Sequence, residues 1–180
     1  MCIYIMQHFP GKEKRMIDVG FKTGDTEEVV GIDGVFMVIR KDKRIWFKKN
    51  ILGFHNYDFN ISCEYKTFGY KILVSNQILI EHFSLGVINI GWVESTYEMH
   101  KIYNHMLPLS LEKSKLKRLE IQNSKFFILT SLKFKKINIA FLSLVKLLWL
   151  DPLSLFNIRF AAKGFYFLFK NNITFLKTIS

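Results

Sequence analysis

Cysteine is nearly absent: Cys2 and Cys63 are the only two in 180 residues. Two thiols without a C-x-x-C pair exclude a cysteine zinc cage and a disulfide-stapled scaffold, and suit a reducing compartment. Any metal would have to be held by His and carboxylates. No D-x-D, no G-x-x-x-x-G-K-[ST] and no G-x-G-x-x-G occurs. The short motifs that cradle phosphates or place a nucleotide-bound metal are therefore missing. Long apolar runs are missing too, since the Ile139–Leu150 block contains Lys146 and falls well short of the ~20 residues a membrane-spanning helix needs. The start, Met1–Lys14, is broken by Gln7, His8 and Pro10 and has no basic lead or long apolar core. It does not read as a secretory signal, and the expectation is a cytoplasmic chain.

What is present is enough for a folded core. Hydrophobic residues make up 49% and charged residues 23% of the chain, with 18 Phe, which argues against disorder. The length fits one compact domain, or a smaller domain with a helical extension. Charge is distributed unevenly. Residues 1–104 hold 13 Lys/Arg against 12 Asp/Glu, whereas residues 105–180 hold 13 against 3, so the total of +11 resides almost wholly in the back.

Along the chain, the first thirty residues show no sustained period and read as a loop-rich lead-in. From Val29 to Arg40 the run VVGIDGVFMVIR is almost continuously apolar, which predicts a strand buried on both faces, interrupted at Asp33-Gly34. Tyr57, Ile61, Tyr65 and Phe68 then fall at helical spacing, with Asp58 in the first turn and Gly69 as a stop. Tyr70–Val74 and Gln77–His82 read as strand segments around Ser75-Asn76, and Trp92, Thr96, Met99 and Tyr103 as one face of a second helix closed by Pro108. Beyond it, KSKLKR and KFKK alternate with apolar blocks, predicting amphipathic helices with Asp151-Pro152 between the last two. Helices flanked by strands set the class as α/β with a mixed sheet. The predicted organisation is a domain over residues 1–108 and a basic helical extension over 109–180.

Four blocks carry a resemblance. VVGIDGVFMVIRK, GFHNYDFNISCEYKTFGYKILV, ILIEHFSLG and GWVES, in that order within residues 29–104, resemble the StrF-type branch of family 2-like glycosyltransferases. The resemblance implies the C-terminal part of a GT-A-like fold that moves a sugar from a nucleotide donor to an acceptor hydroxyl, such as that of a glycan. It covers the acceptor side. The donor-binding half, which in such proteins carries a D-x-D-type site for Mn or Mg, has no counterpart here. The expectation is therefore a truncated or split enzyme, weakly active or inactive without a separately encoded N-terminal half. The divalent metal is expected only with that half.

The resemblance further implies residue roles, each with a plainer alternative. Asp58 matches the catalytic aspartate that takes the acceptor hydroxyl proton, a task for which carboxylates suit because they are ionised at neutral pH. Its alternative is a first-turn carboxylate serving the helix dipole. Asn60 stands where the family commonly shows a second aspartate. His82 matches a histidine near the donor diphosphate and its metal, or else is a hydrogen-bonded structural residue. Asp33 would accept a hydrogen bond from a substrate hydroxyl, or else sits in a turn or bulge. His55 and Tyr57 flank the proposed base and Trp92 offers an aromatic face to a sugar ring. Each also suits core or cleft lining.

A second class of function rests on the basic back half, as a non-catalytic module for an anionic membrane surface or a protein partner. Each lysine near such a bilayer contributes about 1 kcal/mol, which would place the protein at the inner face as a peripheral protein. Its alternative is a solvated surface. Nucleic acid is disfavoured as a partner, because the basic clusters alternate with apolar blocks rather than with exposed aromatic and base-reading side chains.

Overall fold

The computed structural model describes residues 3–20, 24–51, 53–109, 112–155, 157–163 and 166. The chain is mixed α/β and divides into two compact units, Met1–Leu111 and Glu112–Ser180. No described helix is long and apolar enough to cross a membrane.

Among its described residues the first unit holds two small sheets and two helices. Strand β1 (Ile3–Gln7) is central in a three-stranded sheet, antiparallel to β2 (Arg15–Val19) and parallel to β5 (Ile80–His82). Strand β3 (Thr26–Val29) pairs antiparallel with β4 (Ile72–Ser75) as a separate two-stranded ribbon. The expected lead-in is thus three strands. β1 meets its parallel partner only after a long stretch of chain, a pairing that a local sequence pattern does not reveal. The two segments around Ser75-Asn76 are strands, but they belong to different sheets.

The predicted strand over residues 29–40 is mostly not one. Regular pairing ends at Val29, and residues 30–40 run irregularly, with Asp33, Phe36 and Val38–Arg40 exposed. Their backbone groups are held by side chains of the next helix instead of by a ladder. Helix α1 (Tyr57–Thr67) ends as expected at Gly69, whose φ is +78. Its buried residues are Asn60, Ile61, Ser62, Cys63 and Glu64, so the predicted stripe through Tyr57, Tyr65 and Phe68 is displaced. Polar Asn60 and Glu64 face inward because Tyr103 meets them there, with its phenol oxygen 2.8 Å from Asn60 Oδ1 and 2.7 Å from Glu64 Oε1. Helix α2 (Ile90–Tyr103) begins at Asn89, whose side chain accepts the Trp92 amide at 3.1 Å. Ile51, Cys63, Met99 and Tyr103 make the core of this unit.

In the second unit α3 (Leu116–Lys133) packs along α4 (Ile137–Leu150) around Ile128, Ala140, Leu144, Leu147 and Ala161. The turn between them passes through Lys135 at φ 58. Residues 157–163, after Asp151-Pro152, are helical, and Asn157 donates to the Asp151 carbonyl at 3.1 Å.

Candidate functional site

The VVGIDGV segment lies flush on the first turn of α1. Two glycines permit that approach: a Cβ at Gly31 would stand 2.7 Å from the Phe59 ring, and one at Gly34 would collide with the Tyr57 hydroxyl. Three hydrogen bonds fasten the loop, and a fourth within the helix steadies one of their acceptors. The Gly34 amide donates to Asp58 Oδ2 at 2.9 Å, the Tyr57 hydroxyl donates to the Gly34 carbonyl at 3.0 Å, and the Ile32 amide reaches Ser62 Oγ at 3.3 Å. Ser62 in turn donates to the Asp58 carbonyl at 2.7 Å. Further along, the Tyr65 hydroxyl holds the Arg40 carbonyl and Tyr70 holds Asp42 Oδ2 at 2.9 Å.

Asp58, Asp33 and Tyr57 are brought together by this docking. Asp58 is half-buried, and its second oxygen accepts the Phe59 amide at 2.7 Å. A carboxylate has about four lone-pair sites, so two amide donors leave acceptor capacity on both oxygens. Asp33 is exposed, and its Oδ1 accepts the Val35 amide at 3.2 Å in a local turn. Burial, with the Asp58 and then the Asp33 carboxylate nearby, pushes the Tyr57 phenol above its ordinary value. It remains a hydrogen-bond donor through neutral pH.

His55 and Trp92 lie to one side of this cluster, at the joint between α1 and α2. Half-buried His55 stacks edge-on with Phe54 and stands near Gly91, the residue before Trp92. Between His55 and Tyr57, Asn56 sits at φ 60 and donates through its amide to Ser95 Oγ at 2.7 Å and Thr96 Oγ1 at 3.0 Å. Asn56 thus ties the start of α1 to the middle of α2. Its signal in the sequence was an Asn directly before a helical period, a residue that tolerates the left-handed conformation better than most.

His82 belongs to a different cluster. Its Nδ1 bonds Gln7 Oε1 at 2.8 Å, across the β1–β5 pair. Gln7 Nε2 donates in turn to the carbonyls of His8, His82 and Ser84, at 2.9 to 3.2 Å. Beside it, His8 pairs with Glu81 at 3.0 Å and stacks on Phe83. The EHFS block therefore closes the sheet through a buried glutamine that carries no sequence signature of such a role. Among the described residues no group of three or more His, Cys, Asp and Glu side chains converges as a metal site would require.

Comparison of the chain with protein-family models, with curated proteins and with solved structures gives no match.

Proposed function

We propose that this chain is the acceptor-side part of a family 2-like glycosyltransferase, with Asp58 as its general base. The observation that supports the proposal is the 2.9 Å bond from the Gly34 amide to Asp58. Through it two of the four blocks that carry the resemblance meet at the one carboxylate the resemblance assigns to catalysis, with Asp33 and Tyr57 beside it.

In the proposed reaction the acceptor hydroxyl binds at Asp58, which takes its proton as the oxygen forms a bond to the anomeric carbon. The bond from that carbon to the donor phosphate breaks, and the nucleoside diphosphate departs with the electron pair. Asp33 and the Tyr57 hydroxyl orient acceptor hydroxyls, and His55 and Trp92 line the sugar. The divalent metal and the diphosphate contacts belong to a donor-binding half. His82, engaged by Gln7, is left with Nε2 as its one free ring nitrogen, and no step is routed through it. Without that half the proposal gives little or no turnover, because donor positioning and leaving-group stabilisation are the larger part of such catalysis.

The test joins this chain to the proteins encoded beside it and assays sugar transfer from a panel of nucleotide sugars with Mn or Mg present. Asp58→Asn is expected to abolish transfer while leaving nucleotide binding and the circular dichroism spectrum intact, since the Asn oxygen can keep the Gly34 amide and the one donor it gives up, the Phe59 amide, lies in the first turn of α1. Full transfer by Asp58→Asn would remove the base assignment.

A further inference from the structure

Helix α4 is apolar on more than the side it buries. Ala140, Leu144 and Leu147 pack against α3, whereas Leu142, Val145 and Trp149, spaced by three and four residues, share another stripe and are all exposed. Trp149 is 90% exposed, and just past the helix Leu153 at 88% and Leu155 at 70% are exposed as well. Single exposed leucines need no explanation. An indole and four aliphatic side chains on and just after one helix form a patch of the kind that marks an interaction site.

The same unit is strongly basic, with 13 Lys/Arg against 3 Asp/Glu over residues 112–180. Two of those acids are already paired, Glu112 with Lys115 at 2.6 Å and Glu120 with Lys146 at 3.0 Å. Exposed Lys133 and Lys135 precede the stripe, and exposed Arg159 and Lys163 follow it.

We propose that this stripe seats on an anionic membrane surface, with Trp149, Leu153 and Leu155 entering the headgroup boundary while the flanking lysines and arginine meet phospholipid charge. Indole prefers that boundary, and apolar insertion and electrostatic attraction add to each other there. Charge decides among occupants. A second copy would set like charges against each other, and nucleic acid provides no apolar phase for the exposed leucines. The proposal is independent of the transferase assignment.

Co-sedimentation of the full chain with phosphatidylcholine vesicles containing phosphatidylserine, beside phosphatidylcholine alone, tests it. Binding is expected to the anionic vesicles and to weaken as salt rises. Trp149→Gln with Leu153→Gln should weaken partitioning by about tenfold or more, and Lys135→Gln with Arg159→Gln should do likewise. None of these four side chains is buried, so thermal melting should not change. Tryptophan emission should shift to the blue on the anionic vesicles, and Trp149→Phe should remove that shift while sedimentation persists. Equal binding to neutral vesicles, or wild-type binding by both double variants, would overturn the proposal. So would a lipid-free dimer that Trp149→Gln abolishes, or an RNA that displaces the vesicles.

Discussion

Tyr103 is the residue on which the first unit's core turns. Its phenol is almost fully buried, 2.7 Å from Glu64 Oε1 and 2.8 Å from Asn60 Oδ1, and Glu64 is also paired with Lys48 at 3.3 Å. Tyr103→Phe keeps the ring but leaves a buried carboxylate short of a donor, a loss of about 1–3 kcal/mol, to be read as a lower urea midpoint. The same neighbourhood sets an alkaline limit. Burial, and secondarily Glu64, pushes the Cys63 thiol from its ordinary 9.0 up to about 12. Tyr103 is raised from 10.0 by burial and by Glu64. In the unfolded chain both ionise near their ordinary values, so these contributions are complete below those values and are lost as pH rises towards the folded ones. Urea midpoints measured from pH ~8 to ~11 should therefore fall, and Cys63→Ala should flatten the first part of that fall.

Among elements, the joint between α1 and α2 makes the sharpest prediction. Asn56 combines a left-handed backbone with two side-chain bonds to α2. Asn56→Gly keeps the backbone preference and loses the bonds, whereas Asn56→Ala loses both. Thermal melting should rank alanine below glycine by about 1 kcal/mol of stability. The helices themselves were legible, because the period and stop of α1 and the period of α2 are local features. Their inward faces were less so. Asn60 and Glu64 point inward only because Tyr103, about forty positions away, supplies their partner. The strands were the least legible elements. An apolar run such as Val29–Arg40 signals extended chain, but nothing in it says that Gly31 and Gly34 lay the segment on a helix instead of in a sheet.

For the whole molecule, the division of charge seen in the sequence matches two units that each carry their own core. The candidate site follows the same logic. Asp33, Tyr57 and Asp58 were each legible as residues, and their meeting through the Gly34 amide was not, since it depends on how a loop docks. His82 was assigned by resemblance to the donor side, and its bond to Gln7 depends on a parallel pairing between distant strands. Because the two cores share no residue, their stabilities should be separable. Leu147 is fully buried between α3 and α4, so Leu147→Ala should cost the second unit about 2–5 kcal/mol. Hydrogen exchange should then speed up throughout α3 and α4 while the α1 and α2 amides keep their protection. Equal acceleration in α1 would show instead that the two units unfold as one.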